Sequence, residues 1–203
     1  GERLTTLDGE ERVLDEDMEL VTDTAGPLSI AGVMGGEESE VSSATTRVLL
    51  EGASWNFINI RKTVNKLKIN SEAAYRFSRG IHPALAEMGV RLCLKRMAEW
   101  GGGVIARGLL DNYPSPPQDS IVTLSASWVN DSLGTDIGAE EIADILSRLE
   151  FDCEIDGENI TAKTPLPRLD IHEGIIGRAD LLEEVSRIYG YERIPSRALE
   201  QPL

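Results

Sequence analysis

The chain has 203 residues, with 20 Lys and Arg against 35 Asp and Glu and a net charge of -15. This length suits one large domain or two small ones, and a hydrophobic fraction of 41% can form a core. No apolar run approaches the roughly 20 residues that span a bilayer, which excludes a membrane protein. The two cysteines, which form no C-x-x-C pair, exclude a disulfide scaffold and a thiolate zinc cage. The two isolated histidines provide little basis for a histidine metal site or a catalytic triad. We expect a cytoplasmic protein.

The charge is distributed unevenly. Residues 61–96 carry nine Lys and Arg side chains against Glu72 and Glu87, whereas residues 119–203 carry eighteen acidic and seven basic ones. Because binding of phosphates requires Lys and Arg, residues 61–96 are the candidate face for a nucleic acid. The alternative is an ordinary mixed, solvated surface. The acidic balance of residues 119–203 argues against DNA as a partner.

Short strands and one helix are predicted in the first half of the chain. Residues 20–22 and 28–33 are predicted strands separated by an Ala-Gly-Pro turn, and residues 48–50 form a third short apolar run. A helix is predicted over 83–100, because its apolar residues recur at helical spacing, proline suits its first turn and three glycines follow it.

A proline-rich segment separates two predicted domains. Residues 111–118 contain three prolines, which cannot continue a helix or a central strand. The predicted organisation is a first domain over 1–110, a linker over 111–118 and a small second domain over 119–203.

The second domain has a clearer pattern than the first. A strand is predicted over 120–124, helices over 127–133 and 139–149, and a final helix over 180–189. Between the helices, apolar and polar residues alternate on both sides of the dipeptide Asp156-Gly157, which predicts a β-hairpin. Two helices followed by a hairpin are typical of a winged helix-turn-helix shape. The predicted fold class is therefore α+β.

Two features of the first domain could contribute to a binding site. Glu51 follows the apolar run 48–50 and precedes two small residues, so it could accept a hydrogen bond from a substrate hydroxyl; the alternative is a carboxylate that caps or pairs. Gly35 lies in a glycine-rich turn without the Gly-Lys-Ser/Thr of a phosphate loop. That turn is either an ordinary one or one against which a ligand lies.

Carboxylates cluster near the end of the second domain. Asp180, Glu183 and Glu184 share one face of the predicted helix, and Asp170 precedes it. Carboxylate oxygens grouped in this way suit Mg2+. The alternative is an ordinary helix surface, with Glu183 paired to Arg187 one turn later.

Several long motifs resemble a known family. Residues 28–41, 48–51 and 71–80 resemble the editing domain of bacterial phenylalanyl-tRNA synthetase β subunits, and residues 165–195 resemble the module that follows it. The resemblance implies an enzyme that attaches phenylalanine to tRNA with ATP and Mg2+, as an α2β2 heterotetramer. It also implies that ATP is bound mainly by the α subunit, and that the β subunit hydrolyses tyrosine wrongly esterified to that tRNA.

The resemblance assigns roles to individual positions. Recognition of the tyrosine hydroxyl falls on Glu51, and the small positions that make room for the ring and the acceptor end fall on Gly35 and Ala73. The Mg2+ ligands, near the contact with the α subunit, fall on the four carboxylates Asp170, Asp180, Glu183 and Glu184. No catalytic general base can be assigned.

Three departures from the family pattern affect these assignments. We expect the editing domain to be incomplete at its N-terminus, because the upstream segment that supplies a histidine in the family is missing. Residues 174–177 resemble an insertion that lengthens the spacing between Asp170 and Asp180. Ser71 stands where the family has threonine and keeps the hydroxyl. The alternative function is a non-catalytic fragment for structure and subunit docking.

Overall fold

The computed structural model describes residues 1–196, so the last seven residues of the predicted 119–203 domain lie outside it. Six α-helices and eight short strands in three sheets form the described part of the chain. This confirms the α+β prediction. The chain divides into two compact units, and the second begins at Pro117, within the proline-rich segment. Among the described residues, no helix has the length and apolar character needed to cross a membrane.

The strands of the first unit form two small antiparallel sheets. One pairs β1 (Arg3–Thr5) with β2 (Glu11–Val13), and the other has the order β3 (Leu20–Thr22), β4 (Pro27–Ile30) and β5 (Met34–Gly35). The predicted strand over 20–22 is confirmed. The strand predicted over 28–33 ends earlier, at Ile30, because the backbone turns at Gly32, which has a φ of +65°.

The first unit has three helices: α1 (Phe57–Leu67), α2 (Glu72–Phe77) and α3 (Leu85–Gly101). Only α3 was predicted. The side chain of Asn56 accepts hydrogen bonds from the first backbone amides of α1, and the Ser71 hydroxyl accepts one from an amide of α2. Both residues are typical N-caps, which satisfy amides that the helix itself cannot.

Two expectations for the apolar residues of the first unit are wrong. Residues 40–56 contain no helix or strand, and Leu49, in the predicted apolar run 48–50, is almost fully exposed. No described strand pairs with this run, and both Val48 and Leu49 are exposed. The apolar stripe of α3 is also exposed, with Met88 at 62% and Leu92 at 57%. The buried core of this unit lies instead between the sheets, α1 and α2.

The second unit contains β6 (Ile121–Ser125), α4 (Ala126–Leu133), α5 (Ala139–Ser147), β7 (Asp152–Asp156), β8 (Asn159–Lys163) and α6 (Gly174–Tyr189). Its antiparallel sheet has the order β6-β8-β7. The predicted helix pair and β-hairpin are confirmed. The hairpin turns at Gly157, where φ is +61°, as a tight turn requires.

Helix α6 is longer than predicted and is anchored at its start. It begins at Gly174, so the apparent insertion 174–177 forms its first turn. A Cβ atom on Gly177 would lie 2.0 Å from the carbonyl oxygen of His172 and 2.8 Å from a methyl group of Val122. Only glycine permits this close approach. Further along, Leu181 and Val185 join the core of the unit with β6, α4, α5 and the hairpin.

Candidate functional site

A cavity of about 530 Å3 lies in the first unit and brings together the three predicted pocket residues. Gly35 lines it from β5, Glu51 from the irregular segment before α1, and Ala73 from α2. These residues are far apart in sequence, and the fold places them around one space. A volume of this size is ordinary for a site that holds a small organic group.

Helix α2 is fixed to the glycine-rich turn by one side chain. The Ser71 hydroxyl donates to the carbonyl oxygen of Val33 at 2.5 Å and accepts from the amide of Ala74 at 3.0 Å. One hydroxyl therefore caps the helix and ties it to the turn that leads into β5. Ala74 is buried beneath, which leaves Ala73 facing the cavity. The serine found here in place of threonine keeps this function.

The segment that carries Glu51 crosses α3 at close range. A Cβ atom on Gly52 would lie 2.4 Å from a methyl group of Val90 and 3.0 Å from the carbonyl oxygen of Ala86. A larger residue would push the segment away from the helix. Gly52 therefore holds the neighbouring Glu51 at the mouth of the cavity, although no strand is present there.

Glu51 is the one charged residue in the cavity lining, as far as residues 1–196 show. Its side chain is exposed and makes no hydrogen bond or ion pair within that range, so its oxygens are available to a ligand. The rest of the wall is mainly apolar and includes Trp55, Phe77 and Leu85. An apolar space with a single acceptor at its edge suits an aromatic group that bears a hydroxyl.

Sequence analysis missed the contribution of α3 to this cavity. Five of its residues line the wall: Leu85, Ala86, Gly89, Val90 and Cys93. They recur at intervals of three and four residues and share one helical face. The predicted stripe consisted of Leu85, Met88 and Leu92, of which Met88 and Leu92 are exposed and do not line the cavity.

Three of the four predicted metal ligands, Asp170, Asp180 and Glu184, are bound to basic groups in the second unit. Arg168 donates to both carboxylate oxygens of Asp170, at 2.8 and 2.7 Å, and its Nη2 also donates to Glu184 at 2.8 Å. Arg187 donates to the other oxygen of Glu184. Asp180 accepts from the backbone amide and the ring Nδ1 of His172, at 2.9 and 3.0 Å.

Glu184 is the most buried member of this network. Its side chain is only 10% exposed. Burial raises the pKa of its carboxyl group, but the hydrogen bonds and charges of Arg168 and Arg187 outweigh burial and leave the pKa below its ordinary value. The Arg168 hydrogen bonds likewise lower the pKa of Asp170. The pair between Glu183 and Arg187, which was the alternative to a metal site, is not formed; Arg187 pairs with Glu184.

In this arrangement a basic side chain lies between two of the predicted metal ligands. The guanidinium of Arg168 contacts both Asp170 and Glu184, and so occupies the position between them that a cation would need. Glu183 is exposed and takes no part in the network. Over residues 1–196, no three His, Cys, Asp or Glu side chains are grouped closely enough to hold a metal ion. The role of Arg168 was not predicted, because it lies 16 residues before Glu184 and no local spacing relates the two.

Comparison with protein families agrees with the two units. Residues 1–102, half of the chain, match the family model of the B3/4 domain. The chain belongs to the B3/4 domain family. After the B3/4 domain in the sequence, residues 122–191 match the family model of the tRNA synthetase B5 domain. The cavity with Gly35, Glu51 and Ala73 lies in the B3/4 domain, and the Arg168 network lies in the B5 domain.

Named relatives match nearly the whole chain, including both the B3/4 and the B5 regions. The chain is 37% identical over 200 residues to the phenylalanine–tRNA ligase beta subunit of Clostridium acetobutylicum, covering 98% of this chain and 25% of that protein. It is 41% identical over 200 residues to the beta subunit of Moorella thermoacetica, covering 96% and 24%. The chain therefore spans about a quarter of the length of the curated relatives it matches, and the suspected resemblance is confirmed.

Proposed function

We propose that this chain works as part of a phenylalanine–tRNA ligase β subunit, and that its B3/4 domain removes tyrosine from wrongly charged tRNA. The observation that carries the proposal is the apolar cavity whose one charged wall residue is Glu51. The similarity to named β subunits supports the parent enzyme. The parent charges tRNA with phenylalanine in the cytoplasm, using ATP bound mainly by its α subunit in an α2β2 assembly.

The cavity explains how tyrosine is selected. The aromatic ring packs against the apolar wall, and the phenolic hydroxyl donates a hydrogen bond to Glu51. Phenylalanine has no hydroxyl, so it leaves the carboxylate without a partner and binds less well. The small side of the cavity at Gly35 and Ala73 leaves room for the ring and for the ribose ester.

The chemical step is hydrolysis of an ester. A water oxygen bonds to the carbonyl carbon, the bond from that carbon to the ribose oxygen breaks, and the released ribose oxygen takes up a proton. The products are tyrosine and uncharged tRNA. In this proposal the chain's own residues bind and orient the ester, and no side chain is assigned as general base.

Release of tyrosine from mischarged phenylalanine tRNA tests this function. We expect a complete β subunit assembled with its α subunit to release tyrosine. Comparison with the 203-residue chain shows whether residues outside it complete the cavity. If neither releases tyrosine, the editing proposal is wrong, and a role in structure and subunit docking replaces it.

Substitution of Ala73 by leucine tests the role of cavity size. Three additional carbons on α2 would fill part of the space that the ring needs, so we expect hydrolysis of the tyrosyl ester to fall at least tenfold. Ala44→Leu is the matched control, because Ala44 lies in an exposed loop outside the cavity wall. Equal hydrolysis by the two variants in the complete subunit would contradict the proposed binding mode.

Magnesium binding by Asp170, Asp180, Glu183 and Glu184 stays a prediction. Because the ion pairs of Arg168 have to be exchanged first, we expect calorimetry to detect Mg2+ binding only in the complex with the α subunit. Glu183→Gln is the useful variant, since its exposed side chain contributes nothing to the described network. Equal binding by the wild-type and Glu183→Gln complexes would remove Glu183 from the ligand set.

A further inference from the structure

Two exposed aromatic rings in the first unit each carry an arginine. The guanidinium carbon of Arg79 lies 3.6 Å from the centre of the Tyr75 ring, and that of Arg61 lies 5.0 Å from the centre of the Phe57 ring. Both distances are typical of cation–π contacts. Tyr75 is 56% exposed and Phe57 is 40% exposed. These rings are therefore held by arginine and still open to a ligand.

Hydrogen bonds bring the two arginines to one place. Arg61 Nε donates to the carbonyl oxygen of Ser78 at 2.6 Å, and Arg79 Nη1 donates to that of Tyr75 at 2.6 Å. Both guanidiniums thus lie at the C-terminal end of α2, although Arg61 comes from α1. We call Phe57, Arg61, Tyr75 and Arg79 the stacking cluster.

The positive charge of this cluster is not neutralised by the described protein. Within residues 1–196, no carboxylate lies within 4.0 Å of either guanidinium. Other arginines of the basic stretch are paired: Arg76 with Glu72, Arg91 with Glu87 and Arg96 with Glu99. The two arginines beside exposed rings are thus available to phosphates, which the paired ones are less able to bind.

We propose that the stacking cluster binds an unpaired nucleotide of RNA, with its base on Tyr75 and its phosphate at Arg79 and Arg61. This rests on the proposed function, which makes RNA the ligand of this unit. The proposed RNA contact is separate from the cavity. Ala73 and Phe77 face the cavity, whereas Tyr75, which is two residues from each, projects from the other side of α2.

The composition of the cluster favours single-stranded RNA over a duplex. An aromatic ring can stack only on a base that is free of its own neighbours, and arginine beside the ring adds attraction to both base and phosphate. Arginines that merely cap the C-terminus of a helix also bind its carbonyl oxygens. Capping, however, has no need of exposed aromatic rings under the guanidiniums.

The test measures binding of the 203-residue chain to a short single-stranded RNA that contains 2-aminopurine. We expect Tyr75→Ala to weaken binding by roughly five- to hundredfold, the effect of losing about 1–3 kcal/mol of stacking. Tyr75→Phe should bind like the wild type, and should still change the fluorescence of the stacked base. Arg79→Ala should weaken binding and reduce the salt dependence by about one phosphate contact.

Two controls make this result specific. Arg96→Ala also removes one charge from the basic stretch, but this arginine is paired with Glu99, so we expect little effect. A duplex RNA of the same length should bind with no dependence on Tyr75. Circular dichroism establishes that each variant is folded before its affinity is compared.

Three outcomes would overturn the proposal: no binding of single-stranded RNA by the wild type, equal affinities of the Tyr75→Ala and Tyr75→Phe variants, or equal effects of Tyr75→Ala on single strand and duplex. The editing proposal can be tested independently of the stacking cluster. If tyrosyl ester is not hydrolysed while Tyr75→Ala still weakens RNA binding, editing is wrong and the stacking cluster stands. If hydrolysis occurs and Tyr75→Ala has no effect on RNA, only the stacking cluster is wrong.

Discussion

Substitution of Glu51 by alanine is expected to lower the preference for tyrosyl over phenylalanyl ester by roughly 100-fold in the complete β subunit with its α partner. No other residue of the cavity wall is charged within residues 1–196, so no other charged group there can replace the lost acceptor. The apolar contacts with the ring remain, and the variant should treat the two amino acids alike. The measurement is the rate of hydrolysis of each ester.

Two further variants give this experiment its controls. Glu51→Gln keeps an oxygen acceptor without the charge, so we expect an intermediate selectivity. Glu40→Ala removes an exposed carboxylate outside the cavity and should leave selectivity unchanged. Unchanged selectivity in Glu51→Ala, with subunit assembly intact, would show that Glu51 does not recognise the hydroxyl.

Substitution of Glu184 by alanine is expected to lower the free energy of unfolding of the second unit by about 3 kcal/mol. The Glu184 side chain is 10% exposed and accepts from both Arg168 and Arg187. Its removal leaves the Arg168 guanidinium, which is three-quarters buried, without its partner on α6. Urea denaturation of wild type and variant measures the difference.

Asp170→Ala is the matched control for Glu184→Ala. Asp170 also pairs with Arg168, but its side chain is 64% exposed, so water can replace the lost pair. We expect a loss of at most about 1 kcal/mol. Equal losses in the two variants would show that burial of Glu184 does not set the strength of the network.

The lowered pKa of Glu184 predicts that the stability of the second unit depends on pH. The pKa of Glu184 in the folded chain lies below its ordinary value of 4.5, because the arginines outweigh burial. Its contribution to stability is therefore complete above pH 4.5 and is lost as the pH falls through the lower pKa of the folded state. Glu184→Gln should reduce this loss in acid, and an unchanged pH profile would contradict the assignment.

Sequence patterns predicted the second unit better than the first. Phe151 and the helical stripe of α5 lie in the core of the second unit and Cys153 packs against it, so local pattern and burial agree there. Ile155, which is 44% exposed, departs from the pattern. Burial accordingly raises the pKa of the Cys153 thiol, as expected for a small hydrophobe. In the first unit, the stripes of α3 and of residues 48–50 are apolar but exposed. Periodicity cannot show whether a partner for an apolar face is present.

The candidate sites were predicted only in part, for a similar reason. Gly35, Glu51 and Ala73 were assigned through the family resemblance, because no local spacing relates three residues on separate elements. Helix α1 was not predicted, although Ile60, Val64 and Leu67 recur at helical spacing and lie in or against the core of the first unit. The contact of Arg168 with Glu184 joins residues 16 positions apart and depends on the path of the loop between them.

The early start of α6 explains how four extra residues can be accommodated. A helix turns by about 100° per residue, so adding four residues at its N-terminal end rotates that end by only about 40° beyond one full turn. The downstream residues keep their register: Leu181 and Val185 stay in the core and Glu184 stays beside the arginines. A change in length at this point would alter the distance that the preceding loop has to span, but not the packing of the rest of the helix. A change of four residues in length at the start of α6 would therefore leave the packing of Leu181, Glu184 and Val185 in place.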